Sequence, residues 1–428
     1  MILPKINSEC KSLDKERADK ITGYLAGVLA ATGPGHLVEK CLENHDFDPK
    51  ETVIFSLGKA AVSMANGIEG TKYKDSPLKI ILSPYECNGV LDGYKKFVGN
   101  HPIPLDDSYT SSKSILKMLQ NAGLKNIIVL LSGGASALFE IPEQSIGEEN
   151  FSRITECLLN AGTDIETLNG IRCGLSSIKC GKIVPQLPFI NYRILLISDV
   201  PQDRLYLIGS NPFVYHKFAL PEHKNKCLSE GIKLNAPIFE NKESADIQSD
   251  IILSGGIFVD SLERIMRKDP HIGNIINFNN ILSGDIKDIA KLILSKLREE
   301  YSLKREGFWF LGHGESTAKV IGGGKGGRNT ELSLRIMMEM REDEIFSFMS
   351  VATDGDDGNS GLMGIIVDNI LKRETIDGNL DIYLKNSDSA GFGEKYSVQI
   401  KTGPTGNNVS DIIIGYYGGY DESSVRKN

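Results

Sequence analysis

Residues 322–331 read Gly-Gly-Gly-Lys-Gly-Gly-Arg-Asn-Thr-Glu, with glycine at five of the first six positions. Glycine permits positive φ and lets backbone N–H groups approach a ligand closely. With a helix starting just behind it, such a loop can cradle anions, most often phosphates. Lys325 and Arg328 bring two cations to this loop, and Asn329 is placed to cap a helix over 331–340. A second glycine turn, residues 311–317 with Glu315, lies just upstream. Two familiar nucleotide motifs do not account for the loop. Gly322, Gly324 and Gly327 satisfy G-x-G-x-x-G, but that fingerprint belongs in a βαβ unit of about 30 residues with an acid about 20 residues on. The Walker A pattern fails because Gly326 follows Lys325 where Ser or Thr is required.

The same grammar of apolar run, small-residue turn and helix recurs upstream. Residues 53–57 lead into Gly58-Lys59-Ala60-Ala61, and 126–131 into Ser132-Gly133-Gly134-Ala135-Ser136-Ala137. Residues 192–197 lead into Ser198-Asp199-Val200-Pro201-Gln202-Asp203. Open α/β sheets bind ligands beyond the carboxyl ends of their strands. Lys59, Ser132, Gly133, Gly134 and Ser136 are therefore candidate phosphate or substrate contacts. Asp199 is a candidate magnesium ligand or general base. Arg172 and Lys179 add cations to a stretch, 169–182, that reads as helix. Further on, Thr353-Asp354-Gly355-Asp356-Asp357-Gly358 offers Asp354 as a second magnesium candidate, and 401–409 is a polar glycine turn carrying Thr405. Taken singly, each turn also has a plainer reading, a solvated lysine or a tight turn needed for packing.

These turns need strands and helices to hold them. Residues 1–50 look helical, and strand-like runs then alternate with helical ones, which argues for an α/β protein of two α/β/α layers. The register restarts after Gln248, so domains are expected at 1–247 and 248–428. In the second, strands are expected at 251–259, 275–278, 308–311 and 345–351, with a helix over 286–301. Lys plus Arg number 48 against 56 Asp plus Glu, a net charge of −8 that makes nucleic acid a poor partner. The seven cysteines show no C-x-x-C, which points to reduced thiols in a cytoplasmic protein. The seven histidines form no H-x-x-x-H pair. The short apolar run 21–31 follows Glu9, Asp14, Glu16 and Asp19, unlike the basic start of a signal peptide, and no run reaches the roughly 18 apolar residues of a membrane span.

Together the turns resemble the class II glycerate kinases, the glycerate 2-kinase family with its C-terminal MOFRL domain. The carriers are Gly58-Lys59-Ala60-Ala61, His101-Pro102-Ile103-Pro104, Ser132-Gly133-Gly134-Ala135-Ser136-Ala137 and Ser198-Asp199-Val200-Pro201. To these add Gly324-Lys325-Gly326-Gly327-Arg328-Asn329, Ala352-Thr353-Asp354-Gly355 and Gly403-Pro404-Thr405-Gly406. The chain departs from the family pattern at Gly174, Cys180, Gln202, Asn407 and the 312–315 turn. The resemblance implies an N-terminal Rossmann-like parallel sheet, a smaller C-terminal mixed-sheet domain and an active site in the cleft between. It also implies transfer of the ATP γ-phosphoryl group to the 2-hydroxyl of D-glycerate, with Mg²⁺. Lys59, Asp199 and Arg328 are then the expected catalytic groups, and Arg172 or Lys59 the partner of the glycerate carboxylate. Ser132, Gly133, Gly134, Ser136, Glu315, Gly324, Lys325, Gly326, Gly327, Asn329 and Thr405 are expected to line the substrates. Two other readings stay open, a nicotinamide-dependent hydroxypyruvate reductase and a non-catalytic nucleotide- or molybdopterin-binding module. The expected partners are small molecules, and the expected state is a monomer or homodimer.

Overall fold

A computed structural model describes residues 5–6, 13–87, 91–218, 226–228, 245–375 and 378–420. The chain divides into two compact units, Pro34–Leu253 in one and Met1–Gly33 with Ser254–Asn428 in the other. The division falls past Leu253 and not at residue 248, which lies inside a strand. The start of the chain groups with the later unit. Its first strand, β1 (Lys5–Ile6), pairs antiparallel at the far edge of that unit's sheet.

The unit Pro34–Leu253 holds a six-stranded, wholly parallel sheet. Its strands are β2 (Thr52–Leu57), β3 (Leu78–Ser83), β4 (Tyr94–Val98), β5 (Asn126–Leu131), β6 (Asn191–Ile197) and β7 (Asp246–Leu253). Both β2 and β5 are buried at every position, as strands covered by helices on two faces must be. Their side chains form one core with the helices Asp106–Gln120 and Ala135–Leu138 and the segment 178–189. The spatial order is β4-β3-β2-β5-β6-β7. From β2 the chain steps outward through β3 and β4, then returns to place β5 on the other side of β2. The two strands that diverge in this way leave a crevice beyond their carboxyl ends, the topological switch point where open α/β sheets bind ligands.

The second sheet is mixed. Its further strands are β8 (Asn274–Asn277), β9 (Leu282–Asp285), β10 (Phe308–Thr317), β11 (Glu344–Ala352), β12 (Gly364–Asp368), β13 (Gln399–Lys401) and β14 (Asp411–Tyr420). The order is β1-β13-β12-β11-β14-β10-β8, with β9 continuing beside β10. β14 runs antiparallel between β10 and β11 and is the centre of the unit. Helix Lys15–Ala31 packs here, with Tyr24 edge-on to Trp309 and its hydroxyl donating to Asp269 at 2.8 Å.

Several elements differ from expectation for local reasons. The expected strand 251–259 is the end of β7 followed by helix Gly255–Met266, because the Ser254 side chain accepts from Ile257 N and caps a helix there. The expected helix 169–182 is helix Ile165–Leu175. It stops where Ser176 turns extended and its hydroxyl accepts the N–H groups of Ile178 and Lys179, with Cys180 and Gly181 then at positive φ. Cys173 bonds to Cys180 and Cys157 to Cys227, with Cα separations of 5.9 and 5.6 Å, against the expectation of reduced thiols. Their spacings in the chain, 7 and 70 residues, carry no disulfide signature. Within the N-terminal stretch, helices Lys15–Ala31 and Pro34–Leu42 answer the expectation of helix, whereas Lys5–Ile6 is strand because it pairs with β13.

One close approach holds the switch point together. Gly58 sits at φ +117°, and a Cβ there would lie 2.5 Å from the Ser132 carbonyl oxygen and closer still to its Oγ. Gly58→Ala should therefore lose at least about 1–3 kcal/mol from backbone strain alone, before the clash is counted. Urea unfolding measures it, and an unchanged midpoint would show that the two turns can separate freely.

Candidate active site

In the unit Pro34–Leu253 the turns after β2 and β5 are laced together. Lys59 N donates to Gly133 O at 2.9 Å, Ala60 N to Ser132 Oγ at 3.0 Å and Ser132 N to Leu57 O at 3.0 Å. Gly134, in the left-handed region at φ +85°, leaves room where a Cβ would meet Lys59 Cγ at 3.1 Å and His101 Cδ2 at 3.2 Å. On the neighbouring glycine, a Cβ would run into the Asp199 carboxylate. The structure thus brings Lys59, Ser132, Gly133, Gly134 and Asp199 together, with His101 added. All lie past strand ends at the switch point.

Arg172 lies close enough to act electrostatically on His101. Burial of the ring, then the charges of Lys59 and Arg172, push His101 down to about 4, although the residue keeps an exposed edge. It is neutral at ordinary pH, so the positive charge facing this spot belongs to Lys59 and Arg172. Behind Arg172 is a buried charge group whose carboxylate, Glu140, the sequence reading passed over. Glu140 and Lys179 are fully buried, and Lys179 Nζ donates to Ala135 O at 3.3 Å, under the turn that carries Gly134. Burial raises Glu140 against the pull of Lys179 and Arg172, and lowers Lys179 to about 8 and Arg172 to about 10. Ser136 points elsewhere, to Ser210 Oγ at 3.0 Å, and Ser210 in turn bonds Asn169.

In the other unit, Arg328 opens helix Arg328–Glu339 and is held by two carboxylates. Its Nε lies 2.6 Å from Asp411 Oδ2, its Nη2 3.1 Å from Asp411 Oδ1 and its Nη1 2.9 Å from Glu315 Oε1. Asn329 is not the cap. Asp357 serves from across the fold, its Oδ1 accepting from Asn329 N at 3.0 Å and its Oδ2 from Thr330 N at 2.7 Å. Burial pushes Asp357 up, and pushes Asp411 to about 6 against the opposing pull of Arg328 and Asn329. Burial opposes ionisation of Arg328, but its two carboxylates outweigh that and raise it.

The glycine-rich loop has a second occupation. Gly324 N donates to Asn386 O at 2.8 Å, Lys325 N to Asp388 Oδ1 at 3.0 Å, Gly326 N to Asn359 Oδ1 at 2.9 Å and Gly327 N to Thr330 Oγ1 at 2.9 Å. Side chains at Gly322 and Gly326 would strike 386–389, and at Gly324 the Cβ would sit 2.7 Å from Asn386 O. Packing alone requires these glycines, and these N–H groups would have to exchange partners to meet a phosphate. Lys325 is exposed. Asp354 and Thr405 share another turn, where Thr405 N donates to Asp354 O at 3.0 Å and Asp356 N to Asp354 Oδ1 at 3.1 Å. Among the described residues no three His, Cys, Asp or Glu converge as a ready-made metal cage.

Two family models match the chain, a domain of unknown function (DUF4147) over residues 21–231 and the MOFRL family over 308–411. Over 407 residues it is 35% identical to the glycerate 2-kinase of Picrophilus torridus, covering 93% of this chain and 96% of that one. The chain belongs to the glycerate 2-kinase family. A second member, the D-glycerate 2-kinase of Thermotoga maritima, is 28% identical over 90% of this chain and 95% of its own. The fold is that of the crystal structure of a Thermotoga maritima glycerate kinase, with a TM-score of 0.81 at 24% identity over 94% of this chain and 99% of that one.

In this family member, Asp411, Asp357 and Glu140 are the charged partners of candidate residues that sequence reasoning missed. Glu140 carried a usable signal, a lone carboxylate between Phe139 and Ile141 in an apolar run. Asp411 heads the apolar run 412–414 and carried a weaker one. Gly133 offers a clean test, because its φ is not in the left-handed region and the nearest atoms that a Cβ would meet are those of the Asp199 side chain. Gly133→Ala should keep its melting temperature within a few degrees and lose activity as Asp199→Asn does, by about 10²–10⁴ if Asp199 is the base. Full activity in Gly133→Ala would show that the position of Asp199 does not matter.

Proposed function

We propose that this chain transfers the γ-phosphoryl group of ATP to the 2-hydroxyl of D-glycerate, giving 2-phosphoglycerate and ADP. The observation that carries the reading is the meeting of Lys59 and Asp199 at the Gly133-Gly134 turn, with the charges of Lys59 and Arg172 both reaching His101, in a chain whose family members carry the name glycerate 2-kinase. A carboxylated alcohol needs a cation for its anionic end and a carboxylate near its hydroxyl. Phosphoryl transfer asks little covalent chemistry of the protein and depends on positioning and on neutralising charge spread over the transferred oxygens.

Arg172, backed by Glu140, is suited to the glycerate carboxylate, since a buried guanidinium offers a fixed two-pronged donor. Lys59 and Arg328 are proposed to meet the phosphoryl charge. Asp199 is proposed to accept the hydroxyl proton or to hold Mg²⁺. Magnesium, bound chiefly by phosphate oxygens and water, needs only one or two protein carboxylates. When bound it would neutralise phosphate charge, with Asp199 as its protein ligand. Asp354, whose Oδ1 accepts from Asp356 N, is the second candidate.

The direct test is ATP, Mg²⁺ and D-glycerate with enolase as coupling enzyme and no phosphoglycerate mutase. Signal that appears only once the mutase is added would make the product the 3-phosphate and overturn the regiochemistry. Arg328→Lys keeps the charge and loses the planar fork. It should lower kcat roughly 10²–10³-fold, as loss of one preorganised donor does. A change confined to KM would reassign Arg328 to ground-state binding.

A further inference from the structure

We propose that Asp411 is the positioning residue for Arg328, and that Glu315 is its displaceable counter-ion, holding the outer edge of the guanidinium until a phosphoryl oxygen takes that place. The inference rests on the reading of Arg328 as a charge-stabilising group. The two carboxylates on Arg328 are not equivalent. Asp411 is fully buried and opens β14, where it is fixed from both sides by pairing with Gly314 of β10 and Ala352 of β11. It takes the Nε–Nη2 side of the guanidinium with both oxygens, at 2.6 and 3.1 Å. Its Oδ1 also accepts from Asn329 Nδ2 at 2.8 Å, and Asn329 is held by Asp357 and by Ser350 Oγ at 2.6 Å. Moving this carboxylate would leave a buried charge unpaired, which is costly. It is a permanent clamp.

Glu315 meets only Nη1, at 2.9 Å, and its side chain is 58% exposed. An exposed pair of this kind is weak and exchanges readily. Asp411 faces the Nε–Nη2 side of the guanidinium, with Nη2 donating to its Oδ1, so the Nη1 end is the one an incoming anion can take. A carboxylate cannot itself hold a phosphate, so a contact role for Glu315 gives way to that of a place-holder. The charged groups that face Asp411 are Arg328, Asp357 and, through Arg328, Glu315. Burial raises Asp411 well above an ordinary carboxyl, so its clamp is ionised at neutral pH and weakens as pH falls through about 6.

The test compares full-length Asp411→Asn, Glu315→Gln and Arg328→Lys by kcat, both KM values, competitive inhibition by inorganic phosphate, and melting temperature. Asp411→Asn should lower kcat about 10- to 100-fold with little change in KM, as loss of a supporting residue does. It should also lose the rate decline between pH 7 and 5.5. Glu315→Gln should move the other way for anions, with phosphate inhibiting roughly 2- to 5-fold more tightly, the scale of one exposed ion pair. Unchanged or weaker phosphate inhibition overturns the counter-ion role. Wild-type kcat in Asp411→Asn, while Arg328→Lys is slow, overturns the positioning role alone. If Arg328→Lys keeps its kcat, the catalytic reading of Arg328 falls and this inference with it. Should Asp411→Asn fail to fold, the phosphate inhibition of Glu315→Gln and the pH profile of the unsubstituted protein decide the matter.

Discussion

The Ser132 hydroxyl accepts the N–H of Ala60 and lies against the bare Cα of Gly58, so the ends of β2 and β5 are held in contact. Everything at the switch point follows from that contact. It fixes where Lys59 leaves the turn after β2. It sets Gly133 and Gly134 at the distance that admits Asp199 on one side and the Lys59 and His101 side chains on the other. Two strands adjacent in the sheet but 68 residues or more apart in the chain could otherwise splay at their ends. The apolar core under the sheet holds the strands parallel, but cannot by itself specify sub-ångström spacing at their tips. A hydroxyl in place of a methyl group at residue 132 supplies that precision, because a hydrogen bond is directional where apolar contact is not.

The sequence made the strand ends of the parallel sheet legible, because continuous apolar runs terminated by small residues have few other meanings in an α/β chain. The runs at 53–57, 126–131 and 192–197 became β2, β5 and β6 within one residue. The glycine-rich loop was legible as a loop and not as to its partners. Glycine marks close approach without saying what approaches, and here it is the segment 386–389 and, at Gly327, Asp357. The same limit hid Asp357 and Asp411. Each meets the start of helix Arg328–Glu339 across 27 to 83 residues of chain. No local spacing encodes such a meeting.

The two charged clusters are built on opposite principles. Around Arg172 and Lys179 a single buried carboxylate, Glu140, balances part of the positive charge, and the remainder makes an anion welcome. Around Arg328 the carboxylates Asp411 and Glu315 outnumber the cation, and the helix N-terminus is already satisfied by Asp357. The first cluster is suited to holding an anion at rest. The second is suited to one that arrives and leaves, or that carries its own counter-ion.

Helix Lys15–Ala31 belongs to the unit that the chain completes only after Ser254. Its inward stripe of Ile21, Leu25 and Val28 is finally buried, with Gly27 against Ile265 and Tyr24 against Trp309. A ribosome delivers that stripe more than 200 residues before its partners exist, and units tend to fold in order of synthesis. The parallel sheet of Pro34–Leu253 can form meanwhile, on a nascent chain whose first helix still has its apolar face uncovered. During that interval the apolar face of the helix lacks the partners that the residues after Ser254 later supply, so assembly of the second unit waits for them.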